Sequence, residues 1–124
     1  VLIAWDERCC ACESREVVVR GRLVGVTLQH LNARLVFTLY GAYMPTRGQP
    51  EAKVRPAWER LHGELQSAAP GYMVAGDLNA ELLEALLRES RRAVLADELL
   101  EALVDEHTLY TAGPAERTGA EDVL

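Results

Sequence analysis

The sequence predicts an α/β fold in which mostly antiparallel strands come first and a helix, a strand and a further helical stretch follow. Up to Tyr43, apolar and β-branched runs recur about every ten residues with turn residues between them. From Pro56 onward, large apolar residues recur with helical spacing. A short apolar run between Gly71 and Gly76 separates the two helical stretches and predicts a buried strand.

Length and composition indicate one globular domain. The chain has 124 residues, of which 49% are hydrophobic and 26% charged, so a collagen-like or wholly disordered chain is excluded. No stretch approaches the ~20 consecutive apolar residues of a membrane helix, and residues 1–5 run straight into charged residues, unlike a signal peptide. The chain lacks an initiating Met, so we expect residues 1–124 to be part of a longer protein. With no signal peptide and no paired cysteine framework, we expect an intracellular location (cytoplasmic or nuclear) and no membrane partner.

The predicted strands of the first half form an antiparallel meander. They cover residues 1–5, 16–20, 23–28 and 34–43. Residues 6–15, which include all three cysteines, are predicted to be a polar turn. Alternation of apolar and mixed positions in the last of these strands predicts one strongly apolar face, and Pro45 ends the meander.

In the second half, Trp58, Leu61 and Leu65 predict a helix with Pro56 at its first position. After the strand at residues 72–75, leucines predict helix from Glu81 to Leu103, and Asp97 is a candidate cap for a second helix there. Residues 107–111 predict a weak strand, followed by a polar segment to residue 121.

Charge is distributed unevenly along the chain. Residues 1–60 carry nine basic and six acidic side chains (+3), and residues 61–124 carry four and thirteen (−9), which together give the net −6. A basic excess is typical of phosphate-binding proteins because cations neutralise phosphates, and here it is slight. The acidic half suits either a divalent cation site or, more commonly, solvated helix faces.

The cysteines and histidines point to no particular chemistry. Cys9, Cys10 and Cys12 lie too close together for the two separated ligand pairs of a tetrahedral zinc site, so free thiols are expected. The three histidines, His30, His62 and His107, are expected to be ordinary surface residues.

The segment Gly76-Asp77-Leu78-Asn79 is the strongest candidate for chemistry. It follows a predicted buried strand, and α/β proteins bind ligands at the carboxyl ends of strands. Positions i and i+2 of an extended chain point the same way, so Asp77 and Asn79 are expected to converge on one atom. A carboxylate beside an amide can orient a water and accept its proton. The alternative is that both residues are N-caps of the following helix.

Two further segments produce a family resemblance. Tyr43-Met44-Pro45 ends a strand with a Y-x-P pattern, an amphipathic helix follows at residues 56–68, and residues 73–80 read Met-Val-Ala-Gly-Asp-Leu-Asn-Ala. This order resembles the endonuclease/exonuclease/phosphatase superfamily, whose fold is the DNase I-like layered α/β sandwich. The resemblance covers residues 1–80 well and the remainder poorly.

The resemblance implies a role for each matching residue. Asp77 corresponds to the catalytic aspartate that handles the attacking water, and Asn79 to the asparagine that orients that aspartate and the phosphate. Tyr43 corresponds to the tyrosine whose hydroxyl contacts the phosphate, with Tyr40 as the alternative. Residues 121–124 faintly resemble the family strand whose aspartate supports a catalytic histidine, and Asp122 takes that position.

The same resemblance implies parts that this chain lacks. The family's metal-ligating glutamate belongs before residue 1, and its Ser-Asp-His segment is absent after residue 107. We therefore expect a partial DNase I-like domain, inactive by itself, whose parent uses Mg²⁺ or Mn²⁺. The leading function is an endonuclease that hydrolyses nucleic acid phosphodiesters, of the retrotransposon type. The alternatives are a small-molecule phosphatase of the inositol phosphate type and a degenerate, non-catalytic interaction domain.

Overall fold

The computed structural model describes residues 1–69 and 71–111 and confirms a mixed α/β fold. The elements are β1 (Cys10–Val19), β2 (Leu23–His30), β3 (Val36–Tyr43), α1 (Glu51–Ser67), β4 (Tyr72–Asp77), α2 (Leu83–Glu89) and α3 (Leu95–His107). The chain divides after Asn79 into two compact units. Within the described residues, no helix combines the length and apolar character needed to cross a membrane.

The four strands form one sheet in the order β1-β2-β3-β4. The first three strands pair antiparallel, as predicted, whereas β3 and β4 pair parallel. A parallel pair needs a crossover connection, and α1 provides it. Because the pair is parallel, the carboxyl ends of β3 and β4 lie at the same edge of the sheet.

The core of the first unit lies on both faces of the sheet. Alternation along β2 puts Leu23 on the face that α1 covers, and Val26 and Leu28 on the opposite face. The buried apolar residues of this unit are Leu23, Val26, Leu28, Tyr40, Ala42, Met44, Val54, Trp58, Leu61 and Leu65. Ala57 of α1 lines a cleft together with Leu23 and Met44, which places the helix against the face of the sheet that carries Leu23. The predicted core positions of α1 are therefore confirmed.

The opposite face is only partly covered. Residues 1–5 form no strand, contrary to prediction, and lie across this face through their side chains. A Cβ added to Gly41 would lie 2.8 Å from Cγ1 of Val1 and 3.3 Å from Cγ1 of Ile3. The segment thus packs over β3 without pairing with a strand, and Met73 on β4 stays 60% exposed.

Two strand predictions need correction. Residues 10–15 were expected in a turn, but β1 begins at Cys10 because pairing with β2 satisfies its backbone even where its side chains are polar. The turn is confined to residues 7–9. β4 is an edge strand in which no residue is buried and residues 75–77 are all exposed, so it is not the buried strand that its apolar sequence predicts.

The first helix begins five residues earlier than predicted. Pro56 lies inside α1 rather than at its first position. The carbonyl of Pro50 accepts the N–H groups of Lys53 (2.9 Å) and Val54 (3.2 Å) and starts the helix. An ion pair between Arg55 and Glu51 (2.7 Å) links adjacent turns before the proline.

In the second unit, Asp97 of α3 holds the segment before α2 against the start of α3. This side chain is fully buried, and its carboxylate accepts the N–H groups of Glu81 (2.8 Å) and Val94 (2.9 Å). Asp97 was predicted to be the N-cap, the residue that directly precedes the helix. Instead Val94 is the N-cap, and Asp97 supports the helix start from the third helical position.

The weak strand predicted at residues 107–111 is wrong. His107 is the last residue of α3, and Thr108 ends the helix in the left-handed conformation, with φ of 51°. The helix thus continues to His107, and the β-propensity of the residues after it produces no strand. The polar segment expected to follow lies outside the described residues.

Replacement of Asp97 should destabilise the chain strongly. Asp97→Ala leaves two N–H groups without their acceptor in a buried place, at a cost of about 2–4 kcal/mol in the free energy of unfolding. Asp97→Asn keeps one side-chain oxygen as an acceptor, and we expect about half that loss. Urea denaturation followed by circular dichroism measures both, and equal stability of Asp97→Ala and the parent chain would contradict the assigned role.

Candidate functional site

The candidate site lies where β3 and β4 end side by side. The parallel register pairs Ala42 with Gly76 and Tyr43 with Asp77. Paired residues of adjacent strands project from the same face of a sheet. Two of the residues singled out by sequence, thirty-four positions apart in the chain, are thus neighbours.

Asp77 has an exposed side chain with one oxygen in use. Its Oδ1 atom accepts the backbone N–H of Asn79 at 3.1 Å. Among the described residues, no hydrogen bond to Oδ2 is present. Its backbone carbonyl accepts the N–H of Met44 at 2.9 Å and extends the β3–β4 pairing by one residue. The carboxylate is therefore held in position, and its second oxygen remains accessible to a water molecule whose proton it can accept.

Asn79 serves a positioning role. Its Nδ2 donates to the carbonyl oxygen of Met44 at 2.9 Å, and its backbone is left-handed, with φ of 48°. The chain leaves the extended conformation before this residue, so the expected convergence of Asp77 and Asn79 on one external atom is not observed. The alternative of N-caps is not observed either, because α2 begins at Leu83 with Leu82 as its N-cap.

Gly76 permits the close approach of the two strands. Its φ is 137°, and an added Cβ would lie 2.0 Å from the carbonyl oxygen of Ala42. No L-residue side chain fits there without moving β3 away from β4. The glycine of the Gly-Asp-Leu-Asn segment is therefore a structural requirement for the register that brings Tyr43 beside Asp77.

Of the two tyrosines, Tyr43 is the one at the site. Its side chain is 42% exposed, whereas Tyr40 is 7% exposed and contacts the ring of Tyr72 edge-on. Burial raises the pKa of the Tyr40 hydroxyl, and the negative charges of Glu64 and Glu16 raise it further. Tyr40 is a core residue, so only Tyr43 can present its hydroxyl to a ligand.

Arg22 is a site residue that sequence reasoning did not identify. Its guanidinium carbon lies 4.8 Å from the centroid of the Tyr43 ring, and Nη1 donates to the Tyr43 carbonyl at 3.4 Å. The Arg22 N–H bonds to the Val19 carbonyl (2.9 Å) across a tight turn in which Gly21 has φ of 72°. The pattern Arg-Gly-Arg before β2 was the available signal, but only strand pairing shows that it meets Tyr43.

The described residues do not fit a complete metal site. Nowhere in residues 1–69 and 71–111 do three His, Cys, Asp or Glu side chains gather with a geometry suited to a metal ion. Of the four described site residues, Arg22, Tyr43, Asp77 and Asn79, one is a carboxylate. A single carboxylate does not hold Mg²⁺ or Mn²⁺ by itself. Cys9, Cys10 and Cys12 are free thiols, as expected. Asp122 lies outside the described residues.

Comparison of the chain with protein-family models, with curated proteins and with solved structures found no match in any of the three. The resemblance to the endonuclease/exonuclease/phosphatase superfamily therefore rests on the order and spacing of the motifs around Tyr43 and Asp77.

Replacement of Gly76 should disrupt the site through the backbone. We expect Gly76→Ala to lower the free energy of unfolding by about 3 kcal/mol, because the methyl group collides with the Ala42 carbonyl and the φ is unfavourable for alanine. Gly63→Ala is the matched control, since nothing lies within 4 Å of an added Cβ there. In the middle of α1 this change should stabilise the chain by about 0.5–1 kcal/mol. Similar thermal unfolding of the two variants would contradict this explanation.

Two replacements of Asn79 separate its hydrogen bond from its backbone conformation. Asn79→Gly removes only the bond to the Met44 carbonyl and should cost about 1 kcal/mol. Asn79→Ala removes the same bond and also strains a left-handed residue, so a further loss of about 1 kcal/mol is expected. Chemical denaturation of both variants gives the difference, and a glycine variant less stable than the alanine variant would overturn the assignment.

Proposed function

We propose that this chain is part of a divalent-metal-dependent phosphoesterase with a DNase I-like layered sandwich, acting inside the cell. The leading substrate is a nucleic acid phosphodiester, cut by endonuclease action. One observation carries the proposal: the parallel register sets Asp77 beside Tyr43, and Arg22 lies over the Tyr43 ring. A base, a hydroxyl donor and a cation thus lie together at one sheet edge.

The chemistry of these three side chains suits phosphate ester hydrolysis. The free oxygen of Asp77 can accept a proton as a water attacks the phosphorus atom. The Tyr43 hydroxyl can donate a hydrogen bond to a non-bridging phosphate oxygen, and the Arg22 guanidinium can offset the negative charge that accumulates there. Asn79 keeps the loop after β4 in place through Met44 and does not need to contact the phosphate.

Metal dependence enters the proposal through the family resemblance alone. The described residues do not hold the ion, so its main ligand must come from a carboxylate outside them, as the resemblance implies. We derive no catalytic step from the metal. The chain by itself is expected to be inactive, and the test belongs in the natural full-length protein.

A non-catalytic interaction domain is the second candidate. The observation that favours it is the structural use of the motif: Gly76 permits strand approach and Asn79 bonds to the Met44 carbonyl. A glycine and an asparagine retained for those reasons need no reaction to explain them. The exposed carboxylate of Asp77 is the residue that distinguishes the two candidates.

Replacement of Asp77 in the full-length protein tests the proposal. With Asp77→Asn, the Mg²⁺-dependent hydrolysis of an oligonucleotide should fall at least ~100-fold, the usual effect of losing a general base. The free energy of unfolding should change by less than about 0.5 kcal/mol, because the side chain is exposed.

The control is Asp105→Asn, which removes an exposed carboxylate from α3 and should leave hydrolysis unchanged. Full hydrolysis by the Asp77→Asn protein rejects catalysis at this site. Hydrolysis of inositol phosphates in preference to oligonucleotides would support the small-molecule phosphatase.

A further inference from the structure

A cleft beside the candidate site has the size and lining of a ligand pocket. It encloses about 390 Å³, within the range of small-molecule sites. Its lining comes from the ends of β1 and β3, the start of β2, the loop after β3 and the first half of α1. Every element that lines it belongs to the first unit, and Tyr43 connects it to Asp77.

The charge of the cleft has one sign. Arg22 and Lys53 line it, and within residues 1–69 and 71–111 no carboxylate does. Neither cation forms an ion pair with the described part of the chain, in contrast to Arg55 and Arg60, which pair with glutamates of α1. Two cations that line one cavity, with no ion pair to the described residues, produce a positive potential that favours an anion.

Arg22 is held ready for such an anion. The Tyr43 ring lies 4.8 Å from its guanidinium carbon, and its carbonyl accepts the Tyr43 N–H at 2.7 Å. Its Nη1 makes a single long hydrogen bond to the Tyr43 carbonyl, so the remaining donors of the guanidinium are available. A guanidinium positioned in this way loses little entropy when it binds a phosphate.

The cleft also has an apolar wall. Val19 and Ala57 are its partly exposed residues, and the buried Leu23, Met44 and Pro45 lie behind them. Gln49 adds an amide that can donate or accept a hydrogen bond. A bare phosphate would leave that wall in water. A ligand that combines a phosphate with a flat, largely apolar group would use both parts of the lining.

We propose that this cleft binds one nucleotide unit, with its phosphate between Arg22 and Lys53 and its base against the apolar wall. The inference rests on the proposed function in that the bound nucleotide would belong to the substrate cut next to Asp77. It goes further because it adds Lys53 of α1 to the phosphate-binding residues beside Arg22 and requires a nucleotide rather than an inositol phosphate.

Isothermal titration calorimetry of the chain at low ionic strength tests the proposal with three probes: adenosine 5′-monophosphate, adenosine and inorganic phosphate. The monophosphate should bind at least about tenfold more tightly than either of the other two, because only it uses both parts of the lining. Equal binding of adenosine would reject the phosphate site, and equal binding of inorganic phosphate would reject the base site. Absence of monophosphate binding overturns the proposal outright.

Variants locate the binding. Lys53→Gln and Arg22→Gln should each weaken monophosphate binding about tenfold, the effect of losing one charge-assisted hydrogen bond. Arg60→Gln, a cation of the same helix that pairs with Glu64 outside the cleft, is the matched control and should bind as the parent chain does. Arg22→Lys keeps the charge without the planar guanidinium and should bind better than Arg22→Gln. Unchanged binding in both glutamine variants places the ligand elsewhere.

Asp77→Asn separates this proposal from the proposed function. The variant should bind the monophosphate at least as tightly as the parent chain, because Asp77 does not line the cleft and its replacement removes a negative charge. Nucleotide binding with no hydrolysis by the full-length protein would retain the cleft and reject the phosphoesterase. Hydrolysis that depends on Asp77 but not on Lys53 would do the reverse.

Discussion

The close approach of β3 and β4 at Gly76 is the constraint on which the candidate site depends. The Ala42 carbonyl lies where a side chain at position 76 would begin, so the two strands meet only because that residue has none. The parallel register that follows sets Tyr43 beside Asp77. A shift of one residue would turn one of these side chains to the opposite face of the sheet.

Met44 transmits this constraint into the loop after β4. Its N–H bonds to the Asp77 carbonyl and its carbonyl accepts the Asn79 amide, so both polar groups of its backbone are satisfied by the neighbouring segment. Its side chain is buried. The loop that carries the exposed carboxylate is therefore tied to the core rather than free, which is the arrangement that a preorganised site requires.

The cationic side chains near the site come from segments outside the Y-x-P and Gly-Asp-Leu-Asn motifs. Arg22 follows the tight turn between β1 and β2, and Lys53 lies in the first turn of α1. Each reaches the end of β3 because antiparallel pairing brings the start of β2 to that edge and the crossover helix passes over it. The positive charge near Tyr43 is thus a property of the sheet topology and not of one local sequence.

The sequence by itself determined the fold class, the helix core positions and the candidate residues Asp77 and Tyr43. Those features depend on local spacing: helical recurrence of Trp58, Leu61 and Leu65, and turn chemistry around Gly76. Tertiary structure alone decided that residues 1–5 cover a sheet face without pairing, that β1 begins at Cys10, and that the Asn79 amide donates to the Met44 carbonyl. It also decided that Arg22 meets Tyr43. The physical reason is that these outcomes depend on partners distant in sequence, and the hydrogen bonds and contacts of such partners outweigh local preferences.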